Sequence, residues 1–70
     1  MPWQWWETWC AREGVDPQRP TVGTLADAML DARLAGWSDR ELARLLDTVG
    51  PRGGLWRDER WIRLRLGLRD

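Results

Sequence analysis

Few side chains in this 70-residue chain could carry covalent or acid-base chemistry. Cys10 and Ser38 are the only cysteine and the only serine, and no His, Lys or Tyr is present. The residues that usually activate a nucleophile are therefore missing. Both candidates also have structural readings. Ser38 stands where a helix would begin, and Cys10 lies on a tryptophan-rich helix face where a buried, unreactive thiol fits. Carboxylates occur close together at Asp27 and Asp31, spaced i, i+4, and at Asp58-Glu59. Such pairs could share acid and base roles, but here they read more simply as solvated helix surface. A zinc site would have to be built from carboxylates alone. Gly53-Gly54 lacks the wider glycine and lysine pattern of a phosphate loop. The inventory predicts no catalysis, no metal, no cofactor and no small-molecule substrate.

Two groups remain that could serve binding. All eleven basic residues are arginine, and seven residues are tryptophan. Formal charge is zero overall, but residues 1–50 carry five arginines against eight acids, and residues 51–70 carry six against three. A neutral whole opposes strong non-specific binding to a polyanion, whereas a polarised chain still permits one basic contact face. Arg52, Arg57, Arg60, Arg63 and Arg65 are the candidates for phosphate and guanine contacts. Their structural reading is a solvated face paired with Asp58, Glu59 and the acidic helices. Seven indoles could together remove over ~1000 Å² from water, and a domain of this length buries only about 60% of its unfolded surface. Some indoles must therefore remain accessible or be covered by a partner, and Trp3, Trp5 and Trp56 are the candidates. The absence of Lys and Asn beside abundant Ala, Gly, Arg and Trp suggests GC-rich codons, as in a high-GC bacterium or its phage.

These residues need elements to position them. In WQWWETWCARE, residues 3–13, Trp3, Trp5, Trp6, Trp9 and Cys10 share one arc at 100° per residue, with Trp6 and Trp9 near its centre and Trp3 and Trp5 at its edges. Gly14 can close that helix, and residues 14–20, with Pro17 and Pro20, form a linker. A second helix over about 22–35 takes Thr21 or Thr24 as N-cap and turns Val22, Leu25, Ala26, Met29, Leu30 and Ala32 inward. Gly36 ends it. Ser38 with Glu41 three residues on forms a capping box that starts a third helix over about 39–49, with Trp37 placed to staple onto Leu42. Leu42, Leu45, Leu46 and Val49 supply its apolar stripe, and Gly50-Pro51 stops it. The short connection between these helices predicts a tight helix-turn-helix-like corner or an αα-hairpin. The basic C-terminal element, 55–69, fits a helix from about Arg57 with Trp61, Leu64 and Leu68 on one face. Its alternation over residues 62–69 equally permits a β-hairpin strand. The fold expected is mainly α, a single three- to four-helix domain over residues 1–70.

Gly36-Trp37-Ser38-Asp39-Arg40-Glu41-Leu42-Ala43-Arg44-Leu45-Leu46, then Pro51-Arg52-Gly53-Gly54-Leu55-Trp56 and Arg63-Leu64, resembles the helix-turn-helix segment of large serine recombinases. The resemblance covers residues 36–66, under half the chain. It implies that Arg52, Gly53, Gly54 and Trp56 form a connector and that Arg60 and Arg63 lie on a DNA-contacting helix. The connector is shorter here, and Asp58-Glu59 stands where that helix meets phosphate. Thr21-Val22-Gly23-Thr24-Leu25-Ala26 looks like the opening of a tyrosine recombinase core-binding domain. Seventy residues leave no room for a recombinase catalytic domain, so the resemblance implies an accessory protein or regulator.

The residues thus support a helix-turn-helix-like DNA-binding regulator or recombination accessory whose partner is double-stranded DNA. The alternative is a protein-binding module, such as a phage-encoded inhibitor or assembly subunit, that uses the tryptophan-rich first helix. A third reading is a homodimer formed through that helix. A single cysteine allows no internal disulfide, and no apolar run has the length of a membrane span, so a cytoplasmic location without membrane contact is expected.

Overall fold

In the computed structural model, which describes residues 2–68, four helices follow one another: α1 (Pro2–Glu13), α2 (Val22–Leu34), α3 (Asp39–Arg52) and α4 (Glu59–Leu66). No strand occurs among the described residues, so the C-terminal segment is helix rather than hairpin. Arg69, the last residue of the expected C-terminal element, lies outside them. None of these helices is long and apolar enough to cross a membrane.

The helix boundaries follow from local chemistry. Thr21, not Thr24, caps α2, its hydroxyl accepting from the Thr24 backbone N–H at 3.1 Å. Ser38 and Glu41 form the expected capping box at the start of α3: the Glu41 N–H donates to Ser38 Oγ, and the Ser38 N–H donates to Glu41 Oε1. At the end of α2, Gly36 takes φ +101°. The Trp37 N–H then reaches back to the Ala32 carbonyl at 3.0 Å, and the Gly36 N–H to the Arg33 carbonyl. This pair of bonds satisfies two carbonyls that a helix end otherwise leaves free.

Helix α3 runs past the Gly50-Pro51 stop expected for it and ends at Arg52. A proline normally drives the preceding residue out of helical geometry, partly by colliding with its Cβ. Glycine has no Cβ, so Gly50 accepts the helical turn and Pro51 enters it. The missing Pro51 N–H costs one bond at the helix end. Gly54, at φ +75°, then closes the helix, with the Leu55 N–H donating to the Gly50 carbonyl at 2.7 Å.

Packing centres on α3, which touches the three other helices. Leu42, Leu45, Leu46 and Val49 are buried there. They meet Trp6, Trp9 and Cys10 from α1, Leu25, Ala28, Met29 and Ala32 from α2, and Leu55, Ile62 and Leu66 from the connector and α4. Two expected faces need correction. On α2 the buried arc is centred on Ala28 and Met29, which leaves Leu30 on its flank, 45% exposed. On α4 the buried pair is Ile62 and Leu66, whereas Trp61 and Leu64, expected to face inward with Leu68, are 53% and 74% exposed.

Polar contacts accompany this orientation of α4. Arg63 Nη2 donates to Asp47 Oδ1 of α3 at 2.6 Å, and Arg33 Nη2 of α2 donates to the Leu66 carbonyl at 2.7 Å. Turning Trp61 and Leu64 inward would carry Arg63 away from α3. Leu68 alone of the expected stripe packs on the core, half-buried beyond the left-handed turn at Gly67.

Candidate functional site

The seven tryptophans sort by the work they do in the fold. Trp6 and Trp9 are buried and stacked, ring centroids 5.8 Å apart, and each indole N–H has a partner. Trp6 Nε1 donates to the Pro17 carbonyl at 3.0 Å, and Trp9 Nε1 donates to Asp31 Oδ2 at 2.8 Å. Trp3 and Trp5 are half-buried and packed against the core. The Arg52 guanidinium lies 3.7 Å over the Trp3 ring, while Trp5 meets Trp37 with centroids 5.0 Å apart. Beside that second pair lies a groove of about 290 Å³ lined by Pro2, Trp5, Trp37, Glu41 and Arg44. Trp56 and Trp61 are the indoles with most of their surface open to solvent.

The five arginines proposed from the sequence do not form one patch. Arg52, Arg57 and Arg60 are exposed along the α3–α4 connector and the first turn of α4. Arg63 is half-buried and engaged with Asp47. Arg65 lies on the opposite flank of α4, in a groove shared with Asp27 and Leu30 of α2.

The connector shows where its acids go. Asp58 and Glu59 are both half-buried, and Glu59 folds its carboxyl group against the buried Gly50. A Cβ on residue 50 would come within 2.8 Å of Glu59 Oε1, so this packing depends on glycine. Over residues 52–60 the exposed positions are Arg52, Gly54, Trp56, Arg57 and Arg60. Each exposed side chain there is thus a guanidinium or an indole. Arg57 lies 4.8 Å from the centre of the Trp56 ring, whose residue is 61% exposed. Cation–π contact of this kind holds an arginine in place while its outer N–H groups stay open.

Gly53 fixes the connector from beneath. Its α-carbon sits against buried Pro20, so close that a Cβ would lie 2.6 Å from the ring. No local pattern signals this contact, because it joins residues 33 positions apart.

The nucleophile inventory keeps its structural reading. Cys10 is buried, and burial, with Asp16 nearby as the smaller cause, pushes its thiol up to about 11. A thiol so placed is a poor nucleophile near neutral pH. Glu41 is held below the usual carboxylate range, chiefly by the Ser38 backbone N–H and then by the Ser38 side chain. Among the described residues, no three Cys, Asp or Glu side chains gather as metal ligands.

No known protein family, curated protein or solved structure matches the chain.

Proposed function

We propose that this chain is a small double-stranded DNA-binding module, a regulator or recombination accessory, that contacts phosphate through the α3–α4 connector and the first turn of α4. The observation that carries the reading is the surface of residues 52–60, where Arg52, Arg57 and Arg60 are exposed beside Trp56 while Glu59 folds against Gly50 and Asp58 is half-buried. Guanidinium groups bind phosphate in paired hydrogen bonds, and an exposed indole adds apolar contact at the sugar or base edge. Arg63 has a structural duty to Asp47 and contributes less. The resemblance of residues 36–66 to a recombinase helix-turn-helix segment points the same way, with α4 in the place of the contacting helix.

Titration of a fluorescent DNA duplex at two ionic strengths tests the reading. Each phosphate neutralised contributes about 0.9 to the slope of log affinity against log salt. Arg57→Gln with Arg60→Gln should therefore weaken binding and flatten that slope by about 2. If micromolar protein shows no salt-sensitive binding, the chain is not a DNA-binding module.

The groove beside Trp5 and Trp37 favours a second reading, a protein-binding module such as a phage-encoded inhibitor or assembly subunit. There Trp5→Ala would abolish partner capture, and binding would tolerate salt.

A further inference from the structure

We infer that the groove between α2 and α4 is the contact face of a symmetric homodimer, with Trp61 of each copy seated over Gly23 and Ala26 of the other. This face is separate from the connector surface and does not depend on DNA binding.

Three observations converge on it. First, the face carries apolar side chains that the fold does not use. Leu30 and Trp61 border a groove of about 340 Å³ whose lining also includes Gly23, Ala26 and Leu66. Leu34, one turn beyond Leu30 on the same side of α2, is 86% exposed. Exposed apolar side chains grouped on one face of a small domain mark an interaction surface more than scattered ones do.

Second, the groove has a floor that accepts an indole. Gly23 has no Cβ, and the nearest atom to the place where one would stand is Thr21 Oγ1 at 4.0 Å. Ala26 adds only a methyl. Small residues beside a projecting tryptophan give a knob and a recess on one surface, as a two-fold interface requires, since the same patch must serve both partners.

Third, the charges on this face complement themselves. Asp27 and Arg65 line the same groove, one on each helix, and neither takes part in the ion pairs found among the described residues. In a two-fold arrangement Asp27 of one copy meets Arg65 of the other, and the pairing occurs twice. A polyanion or an acidic peptide would meet Asp27 as a repulsive element, so a second copy of this chain fits the charge pattern better.

Charge exchange supplies a test that a folding defect cannot imitate. Sedimentation equilibrium of the wild type should show mass rising from one chain toward two as concentration increases. Asp27→Arg alone would set two arginines against two, and Arg65→Asp alone would set two acids against two. Each variant should stay monomeric while keeping the wild-type circular dichroism spectrum. An equimolar mixture restores both pairs and should dimerise at least as well as the wild type. A wild type that remains monomeric throughout would overturn the proposal, and so would either single variant associating as the wild type does, or a mixture that fails to recover mass.

Discussion

Replacing Gly53 with alanine isolates one contact that holds the proposed binding surface. Gly53 has φ −88° and ψ 3°, which alanine adopts without strain, so the backbone itself does not object. The obstacle is the neighbour. The new Cβ would meet Pro20 Cγ at 2.6 Å and Cδ at 2.8 Å, and it would lie 3.2 Å from the Val49 carbonyl oxygen. The proline ring is rigid and buried, so it cannot swing aside as a long side chain would. Overpacking of this kind costs about 1 to 3 kcal/mol. Restricting the unfolded chain returns about 0.4 to 1 kcal/mol, which leaves a net loss of about 1 to 2 kcal/mol. A domain of this size has roughly 4 to 10 kcal/mol in total, and Tm should fall by about 5 to 15 °C. Urea unfolding followed by tryptophan fluorescence reads the free energy. The decisive comparison is made in a Pro20→Ala background, where the ring is gone and Gly53→Ala should cost less than about 0.5 kcal/mol. Gly23→Ala supplies the opposite sign, since its methyl meets open space on a helix and should stabilise by about 0.5 to 1 kcal/mol. If Gly53→Ala is equally harmless with and without Pro20, the close approach does not hold the connector.

Two further outcomes follow from the polar contacts. Asp31→Ala removes the acceptor of the Trp9 indole N–H, a charge-assisted bond at 2.8 Å that ties α1 to α2. Because Asp31 is exposed, water competes for it, and the coupling in a double-mutant cycle with Trp9→Phe should be about 1 kcal/mol. Coupling near zero would mean that packing alone joins the two helices. Stability should also have two pH limbs. The folded state holds Glu41 below its ordinary value, so its contribution is present above that value and is lost as pH falls through the folded one. The folded state holds Cys10 up at about 11, so the unfolded chain releases that proton first and stability declines as pH rises through the ordinary thiol range. Denaturation across pH should show Glu41→Gln flattening the acid limb and Cys10→Ala flattening the alkaline one. An unchanged limb in either variant would remove that group from the account.

Local chemistry was legible in the sequence wherever a signal needed only neighbours. The capping box at Ser38, the left-handed turn at Gly36 and the central positions of Trp6 and Trp9 on α1 all depend on residues within one or two turns. What the sequence did not reveal depends on distant partners. The stretch Trp61-Ile62-Arg63-Leu64-Arg65-Leu66 contains two apolar stripes, and the one that faces inward is met by core residues and by Asp47 and Arg33, which belong to other helices. The end of α3 differs in kind, because its signal is local: Gly50 directly before Pro51 removes the clash that makes the proline read as a stop. The inward turn of Glu59 needs the same glycine, so the acid that stood against phosphate contact in the sequence is withdrawn by a residue nine positions earlier.

The tryptophan content follows from the position of α1. That helix packs on α3, and each of its four indoles reaches a separate structural element. Trp6 bonds to the linker at Pro17, Trp9 to α2 at Asp31, Trp5 meets the corner at Trp37 in a tilted ring contact, and Trp3 lies beneath Arg52 at the end of α3. Large rigid rings give such a helix contact area at little cost in side-chain entropy, which matters in a domain with so small a core. Trp37 completes one of these pairs. Trp56 and Trp61 have no such duty: one lies beside Arg57 on the connector, the other above the α2–α4 groove. Exposing an indole costs hydration free energy without any return within the fold. The two that are exposed lie on the two proposed contact surfaces, Trp56 on the connector and Trp61 on the α2–α4 face. Binding at one can then leave the other free, so a Trp61→Ala variant that loses self-association should still bind duplex DNA as a monomer. Loss of both activities together would show that the two surfaces are one.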